Sequence, residues 1–376
     1  MKIVQAKKIK NKDWEFSETC DLKNPLVLIF ANRFLLEDPE VIKDIKKQFP
    51  YTHLVFGSTA GEISSGNVHD ESIVVSAIDF EKSSYLVKRT NILDHEKDSK
   101  KAGMHLIEAL PKENLKHVFV LSEGSFINGS ALISGIETGL ENTISVTGGM
   151  CGDDARFEKT LASYNENPKE GEVIVIGFYG DSFEVSFASY GGWVPFGPER
   201  LITKSEGNIL YELDDVPALT LYSKYLGDKA SQLPRASLFY PLNVTAKGKS
   251  QPVVRTILGI DTDKNSMTLA GDAPVGSKVQ LMMASVDGIA SGAYEAATLA
   301  MKDRKTAPQL AILVSCIGRK LVMDQRIEEE IEQVIEVIGD KTKVTGFYSY
   351  GEMAPFYGER ACELHNQTMT LTLLSE

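Results

Sequence analysis

At 376 residues, 43% of them hydrophobic and 24% charged, the chain exceeds the ~250–300 residues at which a single core usually stops growing, so two domains are expected. Its 52 acidic and 40 basic residues give a formal charge of −12, and no segment gathers Lys and Arg densely enough to track a phosphate backbone, which argues against nucleic acid as a partner. Four scattered cysteines (Cys20, Cys151, Cys316, Cys362) without a C-x-x-C pair, a basic N-terminus without an apolar stretch behind it, and a longest apolar run (Val173 to Tyr179) far below the ~20 residues of a membrane-spanning helix point to a soluble cytoplasmic protein with no membrane partner.

In chain order, Leu26 to Phe30 is a continuous apolar run, as in a strand buried on both faces. Asp38 followed by Pro39 predicts a helix start, and Val41, Ile42 and Ile45 lie on one face of a helix reaching Gln48. The chain returns as a strand from Thr52 to Phe56, enters the glycine turn Gly57-Ser-Thr-Ala-Gly-Glu62, and runs on as a strand from Ser72 to Ile78. A second unit repeats the plan: strand His117 to Leu121, loop Ser122 to Gly129, helix Ser130 to Leu140, strand Ile144 to Thr147, turn Gly148 to Asp153. A third runs from strand Leu310 to Val314 through a loop at Ser315 to Arg319, a helix ending at Ile338 before Gly339, and strand Lys343 to Thr345, into Gly346-Phe-Tyr-Ser-Tyr-Gly-Glu352. Phe30 and Gly57 stand as far apart as Leu121 and Gly148, and Val314 to Gly346 is a little over one helical turn longer, so three β-α-β units share one design.

Each unit is followed by antiparallel-looking strands: Glu172 to Phe187 reads as a hairpin bent at Gly180-Asp181, and Gln367 to Leu374 as a closing strand. The expected fold class is α/β, or mixed α+β, with mixed sheets covered by helices. Between the second and third units, Gly191 to Pro198 is rich in glycine and proline, and the domain boundary is expected near Tyr211 to Tyr225. Beyond it a hairpin around Asp263 to Asn265, a strand Lys278 to Met283 and an alanine-rich helix after Gly288 follow.

The three turns each present a carboxylate straight after a glycine: Glu62, Asp153 and Glu352. A strand ending in such a turn exposes backbone N–H groups, hydroxyls and an acid together, which suits a small polar ligand. In β-α-β units ligands settle at the carboxyl ends of the strands. This groups Ser58, Thr59 and Glu62 in the first unit and Ser122 and Glu123 with Cys151, Asp153 and Asp154 in the second. In the third it groups Arg319 with Tyr348, Ser349, Tyr350 and Glu352: a fork for a carboxylate, an acceptor for an ammonium, and aromatic walls. That set fits an amino acid or a similar zwitterion. The alternative is that the glycines merely satisfy backbone geometry.

Catalytic signatures fail in turn. Gly248-Lys249-Ser250 resembles the end of a P-loop but has Asn243 where the first glycine belongs, and Ser349 lacks the glycine of a nucleophile elbow because Phe347 stands there. None of the six histidines falls in an H-E-x-x-H pair. An enzyme would have to rely on Cys151 as an activated thiol or on the turn carboxylates.

Over nearly its whole length the chain resembles the FIST domain proteins of bacteria. The likeness rests on Gly57 to Ile63, Gly192-Trp-Val-Pro-Phe-Gly197, Glu206 to Asp214, Arg255-Thr-Ile-Leu-Gly-Ile260, Leu269-Ala-Gly-Asp272, Gly346 to Glu352 and Asn366-Gln-Thr-Met-Thr-Leu371. The resemblance implies a FIST N-terminal domain over 1–218 and a C-terminal one over 219–376, a sensory pair for small ligands, with amino acids proposed. With no output domain in this chain, a signal would pass to a separate partner. Some relatives resemble haem-based nitric-oxide sensors, which makes haem a minor alternative through His53, His117 or His365.

Overall fold

The computed structural model describes residues 1–18, 20–141, 143–249 and 251–376; Ser250 of the P-loop-like stretch lies outside them. The apolar runs become strands and the stretches of helical periodicity become helices, in a mixed α+β arrangement. Leu26–Asn32 pairs in parallel with His53–Thr59, Leu115–Ser122 with Ser145–Met150, and Leu310–Cys316 with Lys343–Ser349. Each parallel pair is flanked on the side of its first strand by an antiparallel one, Ser72–Asp79, Glu172–Tyr179 or Met369–Ser375.

The three sheets enclose one core. Leu28 and Phe30 of the first, Phe119 and Leu121 of the second, and Val314 and Phe347 of the third belong to a single buried cluster, in which the rings of Phe30 and Phe347 lie 4.7 Å apart. Their strand neighbours of opposite parity, Val27 and Ile29, Val118 and Val120, Ala311 and Leu313, pack into separate clusters with the helices outside. Burial on both faces explains why these strands read as unbroken apolar runs. Asp38 caps helix Pro39–Gln48 by accepting from the Glu40 amide, and Ile42 and Ile45 face the first sheet.

Beyond the glycine turns the chain leaves its own sheet. Glu62–Ser64, from the first unit, pairs antiparallel with Lys343–Ser349 of the third. Gly351–Pro355, from the third, pairs with Ser145–Met150 of the second, and Ala162–Tyr164, from the second, pairs with His53–Thr59 of the first. Each unit thus lends a strand to another, and the loan closes in a ring.

One expectation needs correction. Glu172 to Phe187 is not a hairpin: Glu172–Tyr179 lies between Ser84–Asn91 and Leu115–Ser122 in the second sheet, while Glu184–Tyr190 pairs with Met369–Ser375 in the third. Because both edges of the first strand are already occupied within its own unit, the chain bends at Gly180 and closes the next sheet instead. Sequence reasoning also missed helix Ser99–Glu108, capped by Asp98 and buried through Ala102, Leu106 and Ile107.

Residues 194–283 form a fourth, curled sheet. Its long strand Val194–Glu206 shifts register between Phe196 and Arg200, so that it pairs with Lys278–Met283 early and with Ile209–Leu213 later. The sheet packs on helix Ala218–Leu226 through Leu219 and Tyr222. Position 218 lies inside this unit, with strands of the same sheet before and after it.

Candidate functional site

The three glycine turns meet where the strands cross between sheets, and backbone hydrogen bonds stitch them into a ring. The Ala60 amide donates to Tyr348 O and the Tyr348 amide to Gly61 O, both at 2.8 Å; the Gly152 amide donates to Ser58 O at 2.9 Å and the Tyr350 amide to Met150 O at 3.2 Å. Ser58 Oγ donates to Gly152 O and accepts from the Leu161 amide. The sequence-predicted residues Ser58, Thr59, Glu62, Cys151, Asp153, Tyr348, Ser349 and Glu352 are thereby brought together, and all are buried.

Their acids are occupied within the chain. Glu62 accepts from Thr59 and, at 2.6 Å, from Ser72. Glu352 accepts from Ser349 Oγ at 2.6 Å and from the Thr368 amide and hydroxyl at 3.2 and 3.0 Å. Burial pushes both carboxyls up to about 8, against the pull of these hydroxyls, so each holds its proton at neutral pH. Asp153 sits 3.1 Å from Arg33 Nε in an ion pair not aligned as a hydrogen bond, and burial raises its carboxyl despite that cation. Burial, with the nearby Glu123, pushes the Cys151 thiol far above its ordinary range, the reverse of an activated nucleophile.

The other predicted residues serve different structures. Glu123 accepts from the Ser125 and Phe126 amides and from Thr160, and Ser122 Oγ donates to Glu123 O at 2.8 Å, so both shape their own loop. Arg319 is completely buried and closes its fork on Glu330, donating to one carboxylate oxygen from Nε and Nη2 at 3.0 and 2.7 Å, while the Ile289 carbonyl takes another N–H. Glu330 also accepts from Tyr348 and Ser315. The fork therefore meets an internal carboxylate. Glu330 stands three residues after Ile327 and four before Val334, and an acid on that apolar helix face was the available signal.

Open space adjoins the junction. A cleft of about 1020 Å³ separates the three-sheet body from the curled sheet. On the body side, Phe157 follows the second turn, Asp70 the first, and Lys320 and Asp324 the strand Leu310–Cys316. On the other side stand Arg235, Phe239 and Leu258. Lys320 Nζ donates to Ala60 O at 2.8 Å, pairs with Asp70, and lies 5.6 Å over the Tyr348 ring, which ties the cleft floor to the junction. Tyr350 links the second turn: its ring stacks on Phe157 at 4.5 Å, its hydroxyl accepts from the Phe157 amide at 2.9 Å, and it donates to the half-buried Asp154's carbonyl at 3.3 Å. Arg235 is exposed and has no hydrogen bond or ion pair among the described residues.

No histidine or cysteine is among the described residues lining the cleft, so an axial haem ligand would have to come from elsewhere. His117 is fully buried, its two ring nitrogens engaged by Ser145 and Thr147; burial lowers it to about 3. His365 Nε2 is held by Ala354 O, and His53 Nδ1 by Tyr164.

The sequence profile of the FIST N domain matches residues 25–216 and that of the FIST C domain residues 218–355. The chain belongs to the FIST family. FIST domains are associated with sensory and signal-transduction proteins. Among curated relatives, an uncharacterized protein of Methanocaldococcus jannaschii is 26% identical over 219 residues, 54% of this chain; the chain spans 41% of the length of that relative. Among solved structures, a cyanuric acid hydrolase from A. caulinodans overlaps 78% of this FIST chain and 99% of its own with 9% identity and a TM-score of 0.18, too small a likeness to carry an argument.

Proposed function

We propose that this FIST protein is a sensory module that binds an amino acid or a similar small carboxylate-bearing metabolite in the cleft between body and curled sheet. The observation that carries the reading is the Arg235 guanidinium, which has no partner among the described residues, on a wall opposite the acids Asp324 and Asp70, the latter already paired with Lys320. A planar fork suits a carboxylate and the opposing acids suit an ammonium, while Phe239 and Leu258, both partly exposed, offer an apolar surface to the rest of the molecule. Lys320, whose ammonium is already held by Ala60 and Asp70, acts in this reading as part of the wall.

A ligand touching both walls would hold the curled sheet against the body, and that change of relative position is the signal a separate cytoplasmic partner would read. No helix among the described residues is long and apolar enough to cross a membrane. The test is a thermal-shift screen of amino acids and related metabolites on the full chain. A ligand at about 100 times its Kd stabilises by ~2.7 kcal/mol, and Arg235→Ala is expected to abolish the shift while leaving the unliganded melting temperature unchanged. No shift with any compound, or a shift indifferent to Arg235, refutes the reading.

A further inference from the structure

A smaller cavity, about 220 Å³, opens where the chain passes from the curled sheet back into the body. Met283, the last residue of strand Lys278–Met283, and Ala284 after it line one side. Phe239 and Tyr240 close it from the end of the short helix Arg235–Phe239, and Val322 of helix Ile317–Met323 belongs to the body. It shares Gln232, Phe239 and Val322 with the large cleft but not Arg235, so the two spaces are neighbours along one joint.

Apolar surface continues out of this cavity over the root of the curled sheet. Val194 stands directly opposite Met283 in the antiparallel pair, so their side chains share a face, and they are 56% and 45% exposed. Phe196, two residues on and on the same face, meets the Tyr240 ring edge-on with centroids 6.1 Å apart. Met282, of opposite parity, is buried against Trp193 and Met323, so that face is filled while Val194 and Met283 stay bare. An antiparallel pair with one face in water normally alternates apolar with polar, and here both faces are apolar. The charge lining the cavity is Lys229. Its ammonium lies 4.8 Å over the Tyr240 ring and donates to the Tyr240 hydroxyl, but it has no carboxylate partner among the described residues, and no acid is among the described residues lining the cavity.

We propose that this surface is a docking site for a short segment of a partner protein, in which one large apolar side chain enters the cavity between Met283 and Phe239 and an adjacent Asp or Glu meets Lys229. A polypeptide fits better than a small metabolite because the bare surface runs past the cavity to Val194, which a molecule filling the cavity alone would leave in water. The inference rests on the reading of the joint as the signalling element. A segment seated here touches Met283 of the curled sheet and Val322 of the body at once, and leans on the same Phe239 that walls the cleft, so it reads their relative position.

The test selects random heptapeptides displayed on phage against the full chain, with no metabolite added, and titrates the selected sequences as synthetic peptides by fluorescence anisotropy. They are expected to share a Leu, Ile, Met or Phe close to an Asp or Glu. Met283→Glu, at an exposed position and with an unchanged melting temperature as the control for folding, is expected to weaken the peptide roughly tenfold or more. Lys229→Ala is expected to weaken it roughly threefold to fivefold and to flatten its salt dependence. Arg235→Ala is expected to leave the peptide bound as in the parent, so the outcome is separate from that of the cleft reading. No shared motif, peptides held equally well by the Met283→Glu chain, or affinity and salt dependence untouched by Lys229→Ala would each overturn the proposal. So would a chain that sediments as a dimer and becomes a monomer on Met283→Glu, because a second copy would then be the occupant.

Discussion

Glu62 and Glu352 carry the largest electrostatic liability in the junction, and it has a sign that can be measured. Each has a native carboxyl near 8, raised first by burial, against 4.5 in the unfolded chain. Below about 4.5 both states hold the proton and the contribution to stability is complete. As pH rises from there towards 8 the unfolded chain releases protons that the native chain keeps, so stability falls across that window. Urea unfolding at about pH 5 and about pH 8 is expected to show the loss, and Glu352→Gln, an uncharged near-isostere beside Ser349 and Thr368, is expected to remove a share on the order of 2–4 kcal/mol. A Glu352→Gln chain that loses stability with pH as steeply as the parent would contradict this. At this scale the acids were legible in the sequence as members of a repeated turn. Their surroundings were not, because the hydroxyls of Ser72 and Thr368 arrive from other strands, and only the fold brings them into contact. The same holds for Arg235, an ordinary exposed residue at the start of the short helix Arg235–Phe239 until the curled sheet is set against Lys320 and Asp324.

Most helices were read from periodicity, caps or composition: Pro39–Gln48 and Glu328–Ile338 through a wide apolar face, Gly129–Glu137 through the repeated unit, and Val286–Met301 through its alanines. Ser99–Glu108 escaped because its outward residues Lys100, Lys101 and Met104 interrupt a narrow stripe, and the helix depends on its neighbour Gly129–Glu137 rather than on its own pattern. The two approach through glycine: a Cβ on Gly135 would fall 2.1 Å from the Lys100 carbonyl oxygen, and one on Gly103 would fall 2.4 Å from that of Leu132. Gly135→Ala ought to gain about 1 kcal/mol of helix propensity, yet a backbone cannot yield as a side-chain tip does, and overpacking of this kind costs about 1–3 kcal/mol. The expected outcome in chemical denaturation is a net loss, whereas Ser134→Ala, on the exposed face of the same helix, is expected to be neutral or slightly stabilising. A stabilised Gly135→Ala chain would show that the helices are free to separate.

For the molecule as a whole, the three-unit plan was visible in the equal spacings from Phe30 to Gly57 and from Leu121 to Gly148, but the exchange of strands was not. Pairing partners such as Ile63 and Gly346 belong to opposite ends of the sequence, and no local pattern records them. The exchange makes the units interdependent: residues 1–218 contain neither Gly351–Pro355, which the second sheet needs, nor the Lys343–Ser349 strand that receives Glu62–Ser64. Expressed alone, that fragment is expected to lack a cooperative unfolding transition and to expose the Phe30 and Phe119 surfaces, seen as strong binding of a hydrophobic dye. A sharp native-like transition in the fragment would count against a closed ring. The ring also sets an order of events at the ribosome. Glu62–Ser64 emerges early, with unpaired N–H and C=O groups, and its host strand is made only when almost the whole chain has been synthesised. Until then the nascent protein carries a bare β-edge beside apolar strands, so its folding is dominated by late, long-range pairing and its yield in the cell should depend on whatever shields that edge during translation.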